Sequence, residues 1–226
     1  MKERPINLKS HEVLAILQGR KTQLRRVVKP QPSKDHLFQG WVLDSTSGND
    51  IGKAAWAVGD GPLMQDVVRV RCPFGQVGDR LWGRETWMYL LGDDNRDQCS
   101  YRADAPSVSF DSEARDYGLK WRPPINMPRS ASRILLEVAS IKVQRLHDIS
   151  EADAIAEGSY LDRCACLPRS KDRTPMHAAF KLQTCHIHGS EFSYLWESIN
   201  GVGSWDDNPW VWVIEFKRID EKGGAE

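Results

Sequence analysis

Gly19-Arg20-Lys21-Thr22-Gln23-Leu24-Arg25-Arg26 is the stretch on which the reading of this chain turns. Ahead of it, Ser10 is placed as a helix N-cap and Glu12 falls in the first turn. Val13, Leu14, Ile16 and Leu17 then supply an apolar face that stops at Gly19, a residue suited to the left-handed position after a helix. Behind it, Val27-Val28 and Pro30 lead into an extended segment. No acidic residue lies between Glu12 and Asp35, so Arg20, Lys21, Arg25, Arg26 and Lys29 share one run of uncompensated positive charge. Such a run suits an anionic ligand, because each cation attracts phosphate and releases counterions from it. A solvated basic turn is the plain alternative. The helix stop on one side and the extended chain on the other argue for cations held in fixed directions.

Working outward, Val68-Arg69-Val70-Arg71 alternates as a strand does. After the turn signals Pro73-Phe74-Gly75 and Gly78-Asp79, the segment Leu81 to Trp87 reads as another strand. On it Glu85 faces away from Trp82, Arg84 and Thr86, because successive strand side chains alternate. A short strand is expected near Ser100-Tyr101-Arg102. The alternation of Ile134, Leu136 and Val138, continued by Ile141 and Val143, predicts one bent strand or two. Ser150 and Asp153 have capping-box spacing, with Ile149 as a hydrophobic staple, Glu157 as the last helical residue and Gly158 as the stop. Phe192, Leu195, Trp196 and Ile199 fall on one helix face. Trp210 to Phe216 is an apolar run with the composition of a central buried strand.

Residues 31–66 are rich in Ser, Asp and Gly and read as an insertion around short strands, and 89–120 and 159–189 read as further insertions. One domain over 1–219 is expected, with a disordered tail at 220–226. Strands with helices between and beside them predict an α+β fold built on a small barrel.

The 31 basic and 31 acidic residues cancel, which disfavours general coating of nucleic acid and confines any such contact to a local patch. Nine Trp and 40% hydrophobic residues suffice for a core. No apolar run approaches the roughly 18 residues of a membrane span, and Met1 to Pro5 offers no apolar signal segment, so a cytoplasmic protein without membrane partners is expected. Five cysteines argue against a disulfide framework. Cys164, Cys166, Cys185, His186 and His188 place five metal-competent groups at the two ends of one insertion, where a structural Zn²⁺ would close the loop. Their spacing is not a standard finger pattern, and surface thiols and imidazoles are the competing account. No other cofactor is expected, for the chain has no P-loop, dinucleotide fingerprint or nucleophile elbow.

Gly19, Lys21 and Arg26 fit a G-x-K-x-x-x-x-R signature. Two further blocks follow in order, Gly78-Asp79-Arg80-Leu81-Trp82-Gly83-Arg84-Glu85-Thr86-Trp87 and Trp196-Glu197-Ser198-Ile199-Asn200-Gly201 ahead of Asn208-Pro209-Trp210-Val211-Trp212. In these blocks the chain resembles the ASCH domains, in their phage and prophage branch, whose fold is similar to that of the RNA-binding PUA domains. The resemblance implies a PUA-like barrel and a basic cleft for RNA, single-stranded nucleic acid or a nucleoside. Arg20, Lys21, Arg25, Arg26, Glu85, Arg129 and Arg133 are the candidate ligand-binding residues, and Trp82, Trp87, Trp121 and Trp205 are candidate stacking platforms.

Some small ASCH proteins are amidohydrolases that remove an acyl group from cytidine with a Lys, Thr and Glu. By resemblance the Lys falls on Lys21 and the Glu on Glu157, but the Thr falls on Leu24, which has no nucleophile. Thr22 is the nearest hydroxyl. The competing expectations are therefore a hydrolase using Lys21, Glu157 and either Thr22 or a water, and a protein-interaction module.

Overall fold

The computed structural model describes residues 1–59, 61, 64–89, 99–104, 118–158 and 187–219, except for the side chains of 187–191. In chain order the described elements are β1 (Glu3–Asn7), α1 (Ser10–Leu17), β2 (Gln23–Val27), β3 (Leu37–Trp41), β4 (Ala54–Val58), β5 (Gln65–Val70), β6 (Arg80–Arg84), β7 (Trp87–Tyr89), β8 (Cys99–Tyr101), β9 (Leu135–Arg145), α2 (Glu151–Ala156), α3 (Ile187–Asn200) and β10 (Trp210–Ile219). The class is α+β with strands predominating. The largest sheet has the order β1-β6-β9-β10-β2, beside a three-stranded sheet β3-β4-β5 and the pair β7-β8. Among the described residues that order is open, ending on β1 and β2, where the sequence predicts a closed barrel.

The chain divides into two compact units. The first holds residues 1–22, 73–141 and 214–226, and the second holds 23–72 and 142–213.

In the first unit β1 runs parallel to β6, with Glu3 opposite Arg80 and Asn7 opposite Arg84. β6 runs antiparallel to β9, with Leu81 opposite Leu136. Ile6, Leu8, Leu81, Ile134, Leu136 and Val138 are buried. Gly83 lets the chains close up, since a Cβ there would lie 2.8 Å from Leu8 Cδ1 and 3.0 Å from Ile134 Cβ. The single strand expected over Leu81 to Trp87 breaks into β6 and β7 at Glu85, whose N–H donates to Met127 Sδ at 3.4 Å instead of to a strand partner. α1 starts one residue earlier than its pattern predicts, for Lys9 and not Ser10 is the N-cap, and the Glu12 carboxylate accepts the Lys9 N–H at 2.9 Å. Gly19 ends it at φ +71°, the left-handed conformation that a side chain would disfavour.

In the second unit the expected insertion around short strands is an antiparallel meander, in which Phe38 of β3 pairs with Trp56 of β4 and Trp56 with Val68 of β5. Its inner face meets the start of β10. Trp56 lies 6.0 Å from Trp210 and 6.2 Å from Trp212, and Trp41 lies 5.9 Å from Trp212. A second cluster joins Leu146, Ala154, Phe192, Trp196, Val211 and Val213, with Ile149 against it as the staple position predicts. The capping box forms as its spacing requires, the Asp153 N–H donating to Ser150 Oγ at 3.1 Å and the Ser150 N–H to Asp153 Oδ2 at 3.3 Å.

Candidate functional site

From Gln23 onward the basic stretch is strand β2, while Arg20 to Thr22 lie ahead of it. Arg20 folds back on Gln18 Oε1 at 2.9 and 2.6 Å. Lys21 is buried, its N–H donating to the Ala15 carbonyl at 3.1 Å, while Thr22 beside it is exposed. Leu24, at the position where the resemblance calls for a hydroxyl, is fully buried. Arg26 is half-buried and donates to the Arg25 carbonyl at 3.0 Å.

Arg25 departs furthest from its expected role. Within the second unit the residue is 2% exposed and its guanidinium engages Glu157 at 3.0 Å and Asp153 at 3.2 Å. It also donates to Gln23 Oε1, and Gln23 Nε2 in turn donates to Asp153 at 3.0 Å. The Phe192 ring lies 5.8 Å from the guanidinium carbon. Burial pushes the Asp153 carboxyl up, but hydrogen bonds from Gln23 and Ser150 and the Arg25 charge outweigh it and hold it below the usual carboxylate range. A cation so enclosed is a structural tie and not a surface grip for phosphate.

In the first unit the structure brings together two of the predicted site residues. Arg133 clamps the 2% exposed Glu85 with two bonds of 2.8 and 3.0 Å, and reaches Asp104 with two more of 2.5 and 3.1 Å. Its guanidinium lies 4.1 Å over the Tyr101 ring, whose hydroxyl donates to the Ala131 carbonyl at 2.8 Å. Burial raises the Glu85 carboxyl pKa despite the opposing Arg133, and burial above all pushes the Tyr101 phenol up to about 12. Arg129 pairs with Glu3 at 2.9 Å. Lys21 belongs to the first unit and Glu157 to the second.

No family model, characterised protein or solved structure matches the chain.

Around β7 and β8 further arginines lie on aromatic rings. Arg84 stands 5.4 Å from the Trp82 centroid and Arg102 5.2 Å from Trp121, while Arg122 stands 5.5 Å from Trp87 and 5.1 Å from Tyr89. Of the expected stacking tryptophans, Trp87 is buried at 1% exposure, whereas Trp82 and Trp121 are half-buried. Trp205 packs in the second unit against His147 and Phe192. Sequence reasoning missed Arg102, Arg122 and Tyr89 because their pairings join segments that no local period connects. The only signal was the interleaving of Arg with Trp and Tyr. The candidate zinc ligands Cys164, Cys166, Cys185 and His186 lie outside the described residues, as does the His188 side chain. Among the described residues no group of three His, Cys, Asp or Glu is disposed to hold a metal, and no helix is long and apolar enough to cross a membrane.

Proposed function

We propose that the protein binds single-stranded nucleic acid or a nucleotide through the arginine and aromatic face of its first unit, a role in keeping with its resemblance to ASCH domains and their PUA-like relatives. The observation that carries the reading is that Arg84, Arg102 and Arg122 each lie over an aromatic ring within one unit. A guanidinium backed by a ring is already oriented, so less conformational freedom is lost when a ligand arrives. Its outer plane can stack on a base while its edge donates to phosphate. Arg133 has a different part in this reading, because Glu85 and Asp104 already take its donors and it positions Tyr101. The zero net charge fits binding confined to such a patch.

Less supports the amidohydrolase reading of Lys21, Thr22 and Glu157. Lys21 is buried while Thr22 is exposed, Glu157 is engaged by Arg25, and a threonine at position 24 would bury its hydroxyl.

Fluorescence anisotropy with short labelled RNA and DNA strands tests the proposal. Arg102→Ala with Arg122→Ala should weaken binding by about 1–3 kcal/mol for each base that no longer stacks. The log–log salt slope should fall by about 0.7 for each phosphate no longer gripped. Unchanged affinity in the double variant, or no binding of any strand or nucleotide by the native chain, would refute it.

A further inference from the structure

The β3–β5 meander holds an arrangement of a different kind, built from Ser33, His36 and Asp66 of the second unit. His36 is 2% exposed. Its Nδ1 lies 2.6 Å from Ser33 Oγ, and its Nε2 lies 2.7 Å from the Asp66 carbonyl oxygen and 3.4 Å from Asp66 Oδ2. Ser33 is exposed, at the start of a turn closed by the His36 N–H on the Ser33 carbonyl at 3.1 Å. Asp66 holds φ +48°, a conformation non-glycine residues seldom adopt and one that tends to persist where function requires it.

The acceptors dictate the protons. A backbone carbonyl can only accept, so Nε2 carries the hydrogen of the neutral ring and Nδ1 is left with its lone pair. The Ser33 hydroxyl therefore donates to Nδ1. A hydroxyl on an exposed residue, a buried base within hydrogen-bond reach and a third group orienting that base are the three parts of an activated nucleophile.

We infer that Ser33 is a nucleophile activated by His36 and oriented through Asp66, and that it accepts the acyl group of small activated carboxylic esters. Ser33 Oγ bonds to the ester carbonyl carbon as its proton passes to His36 Nδ1. The carbon–oxygen bond to the leaving group then breaks, and the leaving group departs with that proton as an alcohol. Water, deprotonated by the same nitrogen, cleaves the acyl-serine and returns the hydroxyl and a free carboxylic acid. While His36 carries both protons, the Asp66 carbonyl and carboxylate stabilise the imidazolium. Sequence reasoning passed over these residues because Ser33 and His36 lie 30 or more positions from Asp66 in a segment without periodicity.

A fluorophosphonate probe and p-nitrophenyl acetate, used on the full chain, test the inference independently of nucleic-acid binding. One probe per chain is expected, on the peptide bearing Ser33, and Ser33→Ala should abolish it. His36→Gln should slow labelling and ester cleavage by roughly 10²–10⁴-fold, the usual worth of a general base. Asp66→Asn, which keeps the carbonyl, should slow them far less. A histidine that merely pinned the turn would leave Ser33 as inert as any surface hydroxyl. The inference is overturned by labelling that is absent, maps elsewhere or survives Ser33→Ala, or by a folded His36→Gln that reacts at the native rate. Should His36→Gln not fold, Ser33→Ala and Asp66→Asn decide it.

Discussion

Replacing Arg133 with Met measures what the Glu85 carboxylate costs once its partner is gone. Arg133 gives Glu85 two short bonds, and the Glu85 side chain is 3% exposed. The pair with Asp104 counts for much less, since the Asp104 side chain is 50% exposed and exposed ion pairs contribute about 0–1 kcal/mol. Breaking a buried pair by removing one partner costs about 3–5 kcal/mol, so Arg133→Met should destabilise the first unit by that much near neutral pH. Glu85→Gln removes the charge and should cost about 1–2 kcal/mol, the worth of weakened hydrogen bonds. The double variant leaves no buried charge and should cost less than Arg133→Met alone, with a coupling of about 2–3 kcal/mol.

The sign with pH follows from the Glu85 shift. Burial raises its folded pKa above the unfolded one, so its contribution is fully present below the ordinary glutamate pKa and is lost as pH rises through the raised value. Without Arg133 the folded value climbs further, and the deficit of Arg133→Met should narrow on acidification. Urea unfolding followed by tryptophan fluorescence at acid and neutral pH reads both effects. A double variant as unstable as the sum of the singles, or a deficit independent of pH, would refute the reasoning.

Gly83→Ala should cost about 1–3 kcal/mol through overpacking, because its Cβ would press on Ile134 Cβ and Leu8 Cδ1; a lowered denaturation midpoint with an unchanged slope checks it. Ser150→Ala removes the cap of α2 and should cost about 1 kcal/mol, visible in the thermal midpoint. Phe192→Ala empties the cluster around Trp196 and Val213 and should cost about 3–5 kcal/mol, with protection of amide hydrogens falling first in that cluster.

Features written in neighbouring residues were legible before the structure. The Gly19 stop, the Ser150–Asp153 box and the Trp210 to Phe216 run are each signalled by residues within a few positions, and each formed. The failures share a cause in long-range contact. Gln23, Leu24 and Arg25 are buried in succession, which breaks the alternation by which strands announce themselves, and the carboxylate answering Arg25 lies 132 positions away. Five cations without local acids therefore looked like an exposed patch. The same distance hid the partners of Arg102 and Arg122, whereas Glu85 and Arg133 were both singled out although their pairing was not.

Residues 31–66 looked like an ornament hung on the chain, yet Phe38, Trp41 and Trp56 cover Trp210 and Trp212. Each such ring hides about 150–250 Å² from water, so shortening the segment would lay bare two indoles of the strand beneath. Host and graft can no longer be inherited apart. A descendant that sheds the meander must in the same lineage exchange positions 210 and 212 for polar residues, and one that alters those tryptophans loosens the meander in turn.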